Sequence, residues 1–105
     1  MAGGPGLRLF ENVVPMTVAA SPEVSVWLDT TGFTQFLPYF VFTNSTGTTT
    51  FTVEGSFDGA TQDTDMTYDA PVSGTAMDVK HNYIRFRIVQ ATATATVTKC
   101  FVQSR

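Results

Sequence analysis

Thr48-Thr49-Thr50-Phe51-Thr52-Val53-Glu54-Gly55-Ser56-Phe57 alternates with a period of two. In an extended chain successive side chains point to opposite faces, so this pattern sends Phe51 and Val53 one way and Thr50, Thr52 and Glu54 the other. Tyr83-Ile84-Arg85-Phe86-Arg87-Ile88 repeats the pattern, and so does the closing stretch Thr94-Ala95-Thr96-Val97-Thr98-Lys99-Cys100-Phe101. Thr suits such strands because its β-branch stiffens χ1 and fits a pleated surface. No segment sustains a helical period, so the chain reads as all-β.

Working outward, residues 7–18 form a first extended stretch interrupted by Pro15. Ser21-Pro22 turns the chain into a strand over 24–28, with Val24, Val26 and Leu28 on one face. After the turn at Asp29-Thr30-Thr31-Gly32 comes a strand over 36–43 that is apolar on both faces. Phe36, Phe40 and Phe42 share one face, with Leu37, Tyr39 and Val41 on the other. Pro38 has no N–H for a ladder, which places this strand at an edge or a bulge. An edge strand apolar on both sides invites association unless loops or a second subunit cover it. Short strands follow near 66–69 and 75–79, and longer ones over 83–91 and 94–102. Seven or eight short strands with regular turns predict a single β-sandwich of jelly-roll-like form, spanning residues 7–105 behind a Gly-rich N-terminal arm over residues 1–6.

The chain has 105 residues, enough for one domain with its own core. Its charged content is 14%, well under the roughly 25% of soluble domains, and 18 Thr fill the gap. A hydroxyl-rich, weakly charged exterior is buried at low desolvation cost, which favours assembly. The net charge of −3 and the scatter of the six Lys and Arg argue against nucleic acid and anionic lipid as partners. No apolar run approaches the roughly 20 residues of a membrane helix, and no signal-peptide pattern opens the chain. Cys100 is the single cysteine and reads as a buried thiol. These features suit a protein made in a reducing cytoplasm.

With a single His and a single Cys, most catalytic constellations cannot be assembled. His81 as a general base would need an acid and a nucleophile, and spacing supports neither Asp78 nor Cys100 in those roles. One His and one Cys also leave a zinc site half empty. Asp58, Asp63, Asp65 and Asp69 are the best cation candidates, yet as a calcium loop from Asp58 they fail. Ala60 stands at the third position and Asp63 where Gly belongs, so a solvated loop is expected and no cofactor is assigned. Arg85 and Arg87 share a face and form a small basic stripe, to be matched by Glu54 across the sheet or by an acidic partner. Trp27, Tyr39, Tyr68 and Tyr83 are the aromatic residues a sugar could stack on.

Thr52-Val53-Glu54-Gly55-Ser56-Phe57-Asp58-Gly59, followed by Tyr83-Ile84-Arg85-Phe86-Arg87-Ile88 and the Thr96-Val97-Thr98 strand, resembles short β-sandwich proteins of tailed bacteriophages. The resemblance covers roughly the second half of the chain. Ala60-Thr61-Gln62 stands where an aromatic often follows the Asp-Gly turn in that group. It implies a virion component of capsid decoration (cement) type, a homotrimer on the head surface contacting the major capsid protein, and no catalytic residue. On this reading Phe36, Tyr39, Phe40 and Phe42 carry self-association. Leu7, Arg8, Leu9 and Phe10, with Arg85 and Arg87, reach the partner. The competing expectations are a carbohydrate- or receptor-binding module and a different head or tail component.

Overall fold

The computed structural model describes residues 6–8, 16–19, 21–44, 47–90 and 94–104. Among them there are nine strands and no helix: β1 (Gly6–Arg8), β2 (Met16–Val18), β3 (Glu23–Val24), β4 (Leu28–Asp29), β5 (Gln35–Asn44), β6 (Thr49–Ser56), β7 (Met77–Asp78), β8 (Tyr83–Gln90) and β9 (Ala95–Ser104). The all-β reading holds. Gly6 lies in β1, paired with Gln103, so the expected arm loses its last residue to the sheet; residues 1–5 fall outside the described set.

The strands form two antiparallel sheets. In the five-stranded sheet β1 and β2 lie end to end along one side of β9, with β5 on its other side and β7 outside β5. In the four-stranded sheet β3 and β4 lie end to end along one side of β8, with β6 on its other side. From β5 onward each strand lies in the opposite sheet from the one before it.

One apolar core joins the two sheets. Val18, Phe36, Val97, Cys100 and Val102 come from the first, and Phe51, Val53, Ile84, Phe86 and Ile88 from the second. The Phe40 ring stacks on Phe51 at 3.9 Å between centroids and meets Phe86 edge-on at 6.4 Å, so β5 packs directly on the opposite sheet. Such aromatic pairs add about 0.5–1.5 kcal/mol each beyond the area they bury.

Two expected strands depart from strict alternation. The 24–28 strand is broken into β3 and β4, because Ser25 turns inward and its hydroxyl accepts the Phe86 N–H at 3.0 Å, standing in for a main-chain carbonyl. Val24 and Val26 are consequently exposed while Leu28 packs on the core, and the shared face of the three is lost. In β9 the register against β5 slips between Val41 and Phe42, so that Thr98 is the extra residue. Ala95 and Val97 point inward before this bulge, Cys100 and Val102 after it, and Lys99 stays in solvent. No strand forms over 66–69; that segment is irregular.

Candidate functional site

The outer face of the five-stranded sheet carries an exposed apolar row. On β5, Tyr39 is 43% and Val41 37% exposed, with half-buried Leu37 beside them. Tyr39 pairs in register with Phe101 of β9, and the two rings stack at 6.4 Å. This row contains no charged side chain of β5; Lys99, opposite Val41, flanks it.

Of the residues expected to carry self-association, only Tyr39 lies on that face. Phe36 is 1% exposed in the core, and Phe40 and Phe42 pack against the core from the same side. The pleat is the reason: even-numbered β5 residues face the opposite sheet, where Phe51 takes both Phe40 and Phe42. Phe36 is thus closed off in the core, whereas Phe40 and Phe42 keep part of their surface exposed.

From Gln35 to Phe40 the free side of β5 is closed by its own chain. β7 pairs with Gln35 and Phe36, and the Gly74 N–H donates to the Pro38 carbonyl at 2.8 Å. The Ser73 hydroxyl accepts the Phe40 N–H at 2.9 Å and donates to the Phe40 carbonyl at 3.0 Å. A loop thus covers the edge, as Pro38 requires, and leaves the outer face open.

The basic stripe is partly used internally. Arg85 Nε donates to Glu54 Oε1 at 2.7 Å, and its guanidinium lies 4.3 Å from the Trp27 ring centroid. That contact occupies one face of Trp27. Arg87 is half-buried on the same face, with Val24 and Thr52 as its strand neighbours. Leu7 and Arg8 lie in β1 against Val102 and Phe101, whereas Leu9 and Phe10 fall outside the described residues.

The chemistry-bearing side chains meet elsewhere, around His81. Its imidazole is fully buried, with Nε2 2.8 Å from Asp63 Oδ2 and Nδ1 3.1 Å from the Tyr68 hydroxyl. That hydroxyl accepts the Lys80 N–H at 2.8 Å, which leaves its own proton for Nδ1. Every group is satisfied if the neutral imidazole carries its proton on Nε2, donating it to the carboxylate. The His81 hydrogen bond holds the Asp63 carboxyl below its ordinary range, helped by the Asp65 N–H. Burial pushes the Tyr68 phenol up.

An acid, an imidazole and a hydroxyl in line have the outline of a nucleophilic relay. Here the imidazole has no exposed surface, while the half-buried Tyr68 lines the open pocket next to it. The arrangement ties the irregular segment between β6 and β8 to the sheet at Asp63, Tyr68 and His81. Asp78 and Cys100, which the spacing did not support as partners, take no part. Asp78 accepts from Gln35 Nε2, and Cys100 lies in the core, its thiol pushed up to about 12 by burial. Nothing in the spacing of Asp63 and Tyr68 signalled their role.

The acidic residues are separated by the loop. Asp58 accepts the Thr61 and Ala60 N–H groups and the Ser56 hydroxyl, which together lower its carboxyl to about 2. Asp63 faces His81, and among the described residues no group of three His, Cys, Asp or Glu stands ready for a metal ion. An open pocket of about 420 Å³ lies nearby, lined by Tyr68, Asp69, Val72, Met77, Asp78 and Lys80 among others. Lys80 Nζ sits 5.3 Å from the Tyr68 ring centroid, so one face of that ring is already covered.

No family model matches the chain, and no curated protein or solved structure matches it.

Proposed function

We propose that the chain is a jelly-roll β-sandwich that serves as a structural virion protein, a capsid decoration (cement) protein bridging major capsid subunits on a phage head. The strand orders support the jelly-roll reading, since β9 lies between β1/β2 and β5, and β8 between β3/β4 and β6. Crossings from sheet to sheet generate that order without a hairpin inside either sheet.

The observation that carries the function is the open, uncharged row of Leu37, Tyr39 and Val41, joined by Phe101, on a rigid two-sheet body. Interface cores are depleted of charge and enriched in aromatic residues, and this row has that composition. The phage resemblance in the second half of the chain points the same way. The mechanism is mechanical: added buried contact at each junction opposes the outward push of the packaged genome. The row serves self-association, in a trimer as the resemblance implies. Arg87 and β1 are left for the capsid.

Light scattering on the purified protein over a range of concentration tests the self-association. A constant mass above the monomer is expected, reduced by the paired Tyr39→Asp and Val41→Asp change. A monomer at every concentration, or a mass the variant leaves unchanged, contradicts it. The alternative, a carbohydrate- or receptor-binding module, rests on the pocket beside Tyr68, where Asp69 and Asp78 could accept sugar hydroxyls. Glycan binding by a monomer would favour it.

A further inference from the structure

The chain between Tyr68 and Lys80 folds back on itself in two limbs that stand apart. The Val79 N–H donates to the Thr34 carbonyl at 2.9 Å on the β5 side. The next N–H, that of Lys80, donates to the Tyr68 hydroxyl at 2.8 Å on the other side. The limb that starts at Tyr68 therefore lies beyond β7, away from β5. Lys80 Nζ adds a second tie at this end, donating to the Thr67 carbonyl at 2.8 Å. At the far end the Thr75 N–H closes a turn onto the Val72 carbonyl at 3.0 Å, and Ser73 and Gly74 fasten that turn to β5. The pocket of about 420 Å³ is lined by both limbs. Its walls are held at both ends, and a preformed site loses little ordering entropy on binding.

Each limb brings one carboxylate and a patch of aliphatic surface. Asp69 comes with Ala70 and Val72 from the first limb, and Asp78 with Ala76 and Met77 from the second. Met77 packs against the core, and Gln35 Nε2 donates to Asp78 Oδ1 at 3.1 Å, which orients that carboxylate. Lys80, the cation of the lining, is held by the Thr67 carbonyl and lies over the Tyr68 ring. That ring also packs on Phe36 and His81, at 5.7 and 5.4 Å between centroids. It acts as a wall of the pocket, and the two carboxylates set the polar character of the rest.

We propose that this pocket binds an alkyl cation, an ammonium or guanidinium group met by Asp69 and Asp78, on an aliphatic stem laid along Val72 and Met77. A lysine or arginine side chain of a partner protein has that form, with an apolar stem and a charged end, and so does a free diamine. The stem takes apolar surface out of water, above all that of Val72, which is 62% exposed. The net charge of −3 draws cations toward the chain at long range. The inference goes beyond the decoration reading and uses a surface separate from Tyr39 and Val41.

Amide NMR on the purified full-length protein tests the site at constant ionic strength. The probe is lysine capped at both ends as amides; capped norleucine is the uncharged control, and cadaverine the free diamine. The lysine probe should shift the amides of Asp69, Ala70, Ala76 and Asp78 saturably, with a Kd on the order of millimolar for so open a site. Asp69→Asn and Asp78→Asn keep the side-chain shape at exposed positions, and each should weaken binding about twofold to fivefold. Raising the salt should weaken it as well. Tighter binding of capped lysine or arginine than of cadaverine identifies a protein side chain as the source, and the reverse order a free diamine. Equal shifts with norleucine, variants that bind as the parent does, or no shift up to about 100 mM probe overturn the proposal. Shifts of the same amides by methyl glucoside and not by the lysine probe overturn it in favour of a glycan. Light scattering on the Tyr39 and Val41 variant reads the other surface, so failure of one leaves the other standing.

Discussion

At Gly55 the main chain runs directly beneath the His81 ring. A Cβ built there would lie 2.1 Å from Nδ1, a distance no packed structure holds. The ring cannot yield, because Asp63 and Tyr68 fix its two nitrogens and Phe57 packs at 4.7 Å. Gly55→Ala should therefore cost about 1–3 kcal/mol by overpacking, read as a lower urea midpoint with an unchanged slope. A loss under about 0.5 kcal/mol would mean that the ring is free to move. Gly59 is required for a different reason, its φ of +76°, which only glycine adopts without strain. In the sequence Gly55 reads as a strand residue and Gly59 as part of the Asp-Gly turn. His81 is the only signal of the difference, and nothing local ties it to position 55, because the contact forms through an irregular segment without periodicity.

Elements of this fold were legible wherever one face of a strand meets the core along its whole length. β8 follows its alternation residue by residue, and β6 does so as far as Gly55, after which Ser56 is buried as well. β9 does not, since Thr98 is inserted opposite the Val41–Phe42 step and reverses the inward set. A strict period of two would have buried Lys99 and Phe101. Desolvating the Lys99 charge costs more than a bulge, and the bulge wins. The candidate surface was half legible for a related reason. The two apolar faces of β5 were clear, but choosing the inner one depended on the partner sheet, where Phe51 receives Phe40 and Phe42. At Phe40 the edge of β5 is closed by a single hydroxyl, because Ser73 both accepts from and donates to Phe40. Ser73→Ala removes both bonds and should destabilise by about 1–3 kcal/mol in chemical unfolding. A change within about 0.5 kcal/mol would mean that water replaces the hydroxyl freely.

As a whole the molecule has a radius of gyration of 13.4 Å, near the ~13 Å expected of a folded domain of this length. Its titratable side chains are largely spent on its own architecture: Asp58 on a turn, Asp63 and His81 on the tie between loop and sheet, Glu54 and Arg85 on each other. What it offers outward includes an apolar row on the five-stranded sheet. On the proposed reading, this body binds a phage head and strengthens it. Purified heads lacking the protein should take it up in sedimentation, saturably and in a fixed ratio to the major capsid protein, and then release their genome at a higher temperature. Heads that sediment without it, or that bind it and release their genome at an unchanged temperature, would contradict the account.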